Sequence, residues 1–197
     1  MSSEDIKRRM VENTKKLLQA NATITIKDIA TASYVNIASV NYHFGSKEKL
    51  IRIVLEEVID ELKKVVMDQI IRYHERSIGE TLEFIINYLY NFSIENIGLL
   101  NYLFLSNELQ QESSSLLVNH FFSDNEFTRL VYQSLSENTQ NISNEELRAK
   151  YILLFSSFCI PLFFQISQTK LQNPMKLEMF KDDEFRKYYI KSIMKLI

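Results

Sequence analysis

The chain has 197 residues, enough for one large or two small domains with a sizeable core, and a formal net charge of −2. Three glycines and two prolines stand where average usage gives about 14 and about 10. Such scarcity of turn residues argues against hairpin-rich β architectures and glycine-rich phosphate loops, and favours long helices joined by short polar loops.

From Ser3 to about Ala20, Ile6, Met10, Leu17 and Leu18 recur at helical spacing, with Lys7, Arg8, Arg9, Lys15 and Lys16 elsewhere on the wheel. After a polar break, Thr25 followed by Asp28 reads as a helix N-cap with an acidic first turn. The short helix it opens, "IKDIATAS", has a compact apolar edge of Ile26, Ile29 and Ala30. Asn36 is the next cap, with Val35 and Val40 at the spacing of a hydrophobic staple. A third helix is predicted from Ile37 to Phe44, ending at Gly45 as a left-handed C-terminal residue. Ser46 caps a long fourth helix running from Lys47 to about Tyr73. Further helices are predicted at about 78–95, 98–111, 114–138, 144–170 and 182–196, the segment 114–138 with a break near Ser123–Asn125.

Charge is unevenly distributed along this array. Residues 1–50 carry eight Lys and Arg against five Asp and Glu, and the remainder fifteen against twenty. Only the N-terminal quarter is suited to face a polyanion.

On a helical wheel, Val40 and Phe44 share the face that packs on the two preceding helices. Ala38, Ser39 and Tyr42 lie opposite, with Asn41 and His43 on the flanks and Ile37 at the tip. Two short helices joined by a tight turn, the second polar outward, form a helix-turn-helix pattern. Small Ala38 and Ser39 let the helix sink into a major groove, and Asn41 can both donate and accept at a base edge. Tyr42 and His43 can donate to phosphates. Lys47 adds charge beside the free N–H groups of the next helix.

"TITIKDIATASYVNIASVNYHFGSKEKL", Thr23 to Leu50, resembles the N-terminal domain of the TetR-like transcriptional regulators. Ile29-Ala30, Tyr42-His43-Phe44, Lys47 and Leu50 match that family's pattern. The resemblance covers about fifty residues, and the rest of the chain agrees in size and helical character. It implies an all-α fold in which a three-helix DNA-binding domain, residues 1–50, is joined by a long helix to a helical effector-binding and dimerisation domain, residues 51–197. It also implies that the third helix is the recognition helix. Tyr42, His43 and Lys47 would contact phosphate, while Ile37, Ser39 and Asn41 would lie at or near bases. Asn36 and Ala38 belong to the same surface, and Thr25 adds a phosphate contact to its role as a cap. In one respect the chain departs from the family: the turn before the third helix usually holds glycine, and here holds Tyr34. That residue must either adopt a left-handed conformation at some cost or alter the turn.

The resemblance further implies a homodimer, formed by a bundle of the helices near 144–170 and 182–196, bound to a palindromic operator in double-stranded DNA. This gives a cause for the uncharged stretch "YILLFSSFCIPLFFQISQT", residues 151–169. Its interruptions by Ser156, Ser157, Pro161 and Gln165 argue against a membrane span. The many aromatics of the C-terminal part are core at helical spacing, but some are expected to line an effector pocket. Tyr88, Tyr102, Phe104, His120, Phe121, Phe155, Phe158 and Gln165 are the candidates, for an apolar or aromatic effector.

No enzyme, metal site or cofactor is expected. The three histidines are dispersed, and the lone Cys159 lies in the most apolar segment. A lone cysteine and a charged N-terminus fit a reducing cytoplasm. The expected function is a DNA-binding regulator, a repressor released by a small effector. The alternatives are an architectural DNA-binding factor or a protein-interaction module without an effector.

Overall fold

The computed structural model describes residues 2–21, 23–72, 77–105, 110–137, 142–170 and 182–196, and these form ten α-helices without a strand. They are α1 (Ser3–Ala20), α2 (Ile26–Ala32), α3 (Ile37–Phe44), α4 (Lys47–Ile71), α5 (Ile78–Glu95), α6 (Ile97–Leu105), α7 (Gln110–Phe121), α8 (Glu126–Glu137), α9 (Asn144–Lys170) and α10 (Asp183–Leu196). The chain packs as two compact units. One comprises residues 1–61 with 94–118, the other 62–93 with 119–197.

The first four helices begin and end where local chemistry directs. Ser2 and Asp5 form a reciprocal capping box at α1, and Thr25 and Asp28 form another at α2. Asn36 caps α3 through a bond from the Ser39 N–H to its Oδ1 (2.7 Å), and the Ser46 hydroxyl accepts from the N–H of Lys49 in α4. Gly45 ends α3 at φ 82°, a conformation that costs a glycine little.

In the first unit α1 packs on α2 and α6, and α2 on α3. Met10, Thr14 and Leu18 form the buried stripe of α1, facing a core that includes Ile29, Val40, Leu50, Ile51, Val54 and Leu99. The approach of α6 is unusually close. A β-carbon on Gly98 would lie 2.1 Å from the Asn21 carbonyl oxygen and 2.3 Å from that of Leu18. Only a residue without a side chain lets α6 start there.

The second unit has two centres. Leu82 and Ile86 of α5 pack with Ile190 and Ile193 of α10, with Leu154 and Phe158 of α9 against them. Phe121, Phe127, Tyr151 and Phe155 form an aromatic group whose neighbouring ring centroids lie 5.3–6.5 Å apart. The Tyr151 hydroxyl donates to the carbonyl of Phe121, the last residue of α7. Burial pushes the Tyr151 phenol well above its ordinary range, keeping it a neutral donor.

One stretch differs from the sequence expectation. The helices expected at 98–111 and 114–138 divide instead into α6, α7 and α8. The expected break near Ser123–Asn125 is present. Asn125 caps α8 with its Oδ1 and donates from Nδ2 to the carbonyls of Asn119 and His120 at the end of α7. Helix α4 runs to Ile71 within the described residues, and Tyr73, near which its end is expected, lies outside them.

Candidate nucleic-acid interface

Helix α3 is held by one anchor. Val40 is 0 % exposed, while Ile37, Ala38, Asn41 and Tyr42 form an outward arc. Tyr42 stands out from it at 85 % exposed. Ser39 and His43 are half-buried, rotated toward the sides of the helix. The arc is therefore centred nearer Ile37 and Asn41 than the wheel suggests, since Val40 is fully buried and Phe44 only in part. His43 lies between two rings, 5.0 Å from Tyr42 and 6.4 Å from Phe44. An exposed helix face of this kind offers an apolar tip, a small residue, an amide and a phenol, the chemistry a major groove accepts.

The flanking candidates have definite internal duties. Asn36 uses its carbonyl oxygen as the cap of α3, leaving its amide N–H groups for an outside acceptor. The Thr25 hydroxyl donates to Asp28 Oδ2 (2.7 Å) while accepting from the Asp28 N–H, so as placed its proton is already used. These hydrogen bonds from Thr25, the side chain's first and the backbone's second, hold the Asp28 carboxyl below its ordinary value.

Lys47 is turned inward. Its ammonium lies 3.4 Å from the Ile24 carbonyl oxygen, 5.9 Å from the centroid of the Tyr102 ring and 3.9 Å from Glu48. Tyr102 was unforeseen in this place. It is 2 % exposed in α6, and its hydroxyl makes long contacts of 3.4 Å with both the N–H and the carbonyl of Ile24. A core tyrosine thus supports the residue leading into α2 and the first residue of α4. No local sequence signal announces it, because the two partners are 78 residues apart.

The candidate effector residues are distributed over both units. Tyr102 and Phe104 fall in the first, and Tyr88, His120, Phe121, Phe155 and Phe158 in the second. Phe121 and Phe155 touch, and His120 adjoins Phe121. Phe158 packs on the other apolar centre. Tyr88 lies in a ladder along α5, stacked on Phe84 and tilted against Phe92. The side chain of Gln165 lies outside the described residues. Among the described residues no group of three or more His, Cys, Asp or Glu is arranged to hold a metal ion. No described helix is long and apolar enough to cross a membrane.

No family model and no curated protein sequence matches the chain. Solved structures do. The crystal structure of a chain assigned to the TetR-family transcriptional regulators, from Mesorhizobium loti, matches at a TM-score of 0.68 and 12 % identity, covering 100 % of this chain and 98 % of that one. The TetR family repressor AlkX from Dietzia sp., implicated in biodegradation of n-alkanes, matches at a TM-score of 0.46 and 15 % identity, over 97 % of each chain. The first of these fixes the class of fold as all-α, within which α2 and α3 pack as two short helices joined by a tight turn. More particularly, the chain has the fold of a TetR-family regulator along its whole length.

Proposed function

We propose that the chain is a homodimeric, DNA-binding transcriptional regulator of the TetR family, a cytoplasmic repressor released by a small apolar or aromatic effector. The observation that carries this reading is the outward arc of α3, Ile37, Ala38, Asn41 and Tyr42, anchored by the buried Val40 within a TetR-type fold. In this reading α3 enters the major groove, Asn41, Ser39 and Ile37 meet base edges, and Tyr42, His43, Asn36, Thr25 and Lys47 meet phosphates. Residues 1–50 form the DNA-binding part, and residues 51–197 carry effector binding and dimerisation.

A homodimer is supported by an apolar stripe left exposed along α9, formed by Ile152, Leu153, Ile160, Phe163 and Phe164, with Tyr188, Met194 and Leu196 exposed on α10. The five residues of α9 recur at helical spacing on one face, and burying each large apolar side chain stabilises an assembly by about 1.5–3 kcal/mol. A dimer carries two copies of α3, and a palindromic operator offers two half-sites about 34–36 Å apart for them. An effector that favours a different spacing of those helices releases the DNA by its differential affinity for the two states.

Fluorescence anisotropy of the purified protein on DNA flanking its own gene, with scrambled competitor across a salt series, tests this. Binding to one segment that survives competitor is the expected result. A folded dimer that binds no duplex removes the reading. Weak, steeply salt-dependent and sequence-indifferent binding points to an architectural role instead.

A further inference from the structure

Tyr34 is the one residue other than glycine with a positive φ (55°) among the described residues. The cause is the way α2 ends. The Val35 N–H reaches the Ala30 carbonyl (3.0 Å) and the Tyr34 N–H reaches that of Thr31 (3.2 Å), with Ser33 as the C-cap. This is the Schellman arrangement, and it requires a left-handed residue at the position Tyr34 occupies. Glycine adopts that conformation freely, whereas a side chain there crowds its own backbone.

Nothing among the described residues offsets that cost. Tyr34 is 86 % exposed, and among the described residues its ring packs on no other ring and its hydroxyl makes no hydrogen bond. A smaller residue would satisfy the turn better. What distinguishes the position is its place in the chain, two residues before Asn36, the cap of α3. The N-terminal end of a recognition helix is the end that meets base edges, with backbone phosphates beside it. A tyrosine presents a hydroxyl donor at the tip of a stiff ring with few rotatable bonds, suited to a phosphate oxygen at that spot.

We propose that Tyr34 is a DNA-contact residue whose phenol donates to a backbone phosphate at the edge of the groove that α3 enters. The inference rests on the DNA-binding reading above. It explains why a strained, unsupported aromatic occupies a turn that glycine would serve.

The test uses the full-length protein with Tyr34→Gly and Tyr34→Phe, and a duplex selected by the wild-type protein from a random-sequence pool. Tyr34→Gly is expected to melt about 2–4 °C higher, because the strain is relieved, yet to bind the duplex about tenfold more weakly. Tyr34→Phe keeps the ring and the strain, so it should melt as the wild type does and still lose several-fold in affinity. Neither variant should change the slope of affinity against salt, since no charge is removed. Wild-type affinity in Tyr34→Phe overturns the assignment, as does a lowered melting temperature in Tyr34→Gly, which would make the tyrosine a structural support. Selection that recovers no bound duplex at all overturns the regulator reading itself, and this inference with it.

Discussion

The hydroxyl of Tyr189, on α10, donates to the carbonyl of Ser157, on α9. That carbonyl is the one Pro161 leaves without its helical partner, since proline has no N–H to return to the residue four positions earlier. The break in the ladder of α9 thus becomes a point of attachment for α10. Burial raises the Tyr189 phenol above its ordinary pKa, so it remains a donor throughout the neutral range.

Removing this hydroxyl with Tyr189→Phe is expected to lower stability by about 1 kcal/mol, and Pro161→Ala should abolish that sensitivity by supplying the missing N–H. Urea denaturation of both single variants and the double variant measures the coupling. Equal cost of Tyr189→Phe in both backgrounds would show that the proline and the tyrosine are not linked through the Ser157 carbonyl.

Gly98→Ala should be far more damaging than a helix interior predicts. The added carbon meets two backbone carbonyl oxygens, which cannot swing aside as a side-chain tip can. A loss of about 2 kcal/mol or more is expected, in place of the gain of up to about 1 kcal/mol usual for replacing a helical glycine. Gly79→Ala is the control, because its new carbon would meet only side-chain atoms at ordinary contact distance, Met194 Sδ at 3.5 Å and Ser77 Oγ at 3.9 Å. Chemical denaturation midpoints that move alike for both variants would refute the close approach of α6 to α1.

Lys47→Ala is expected to reduce the salt slope of DNA binding by about one, as loss of a single phosphate contact requires. To make that contact the ammonium must leave the Ile24 carbonyl and the Tyr102 ring. An unchanged slope with intact affinity would mean that Lys47 serves only to tie α4 to the start of α2.

The capping box of α2 makes part of the stability depend on acid. Asp28 has a folded-state pKa below its unfolded value of 3.8, so its contribution is complete above that value and is lost as pH falls through the folded one. Asp5 behaves likewise, through its hydrogen bonds with Ser2. The stability gap between wild type and Asp28→Asn should therefore be constant near neutrality and close on acidification below about pH 4. Melting curves from pH 7 to pH 2.5 decide it; a gap independent of pH would place the effect of the substitution elsewhere.

Local chemistry accounts for what could be read in advance. Thr25 with Asp28, Asn36 with Ser39, Gly45, and Ser46 with Lys49 act within three or four residues, so the helix-turn-helix and its boundaries follow from neighbouring side chains alone. The long helix α9 with its uncharged stretch 151–169 was equally legible, and Pro161 does not end it. The break at Ser123–Asn125 was legible as well, but the end of α6 and the start of α7 were not, because the sequence of α6, IGLLNYLFL, is apolar nearly all round and offers no periodic signal.

An all-α chain with α2 and α3 as a helix-turn-helix, and with Ala38 and Tyr42 facing outward, follows from the residues in order, since capping and periodicity are properties of adjacent residues; that Asn41 joins the outward arc and Ser39 turns to the side does not. Packing alone sets Tyr102 under Lys47, brings α6 at Gly98 onto the backbone of α1, and turns Tyr189 to the gap at Pro161. Those relationships join residues from 28 to 80 positions apart. They arise from how helices pack, where shape and unsatisfied backbone groups select the partner and no short pattern records the choice.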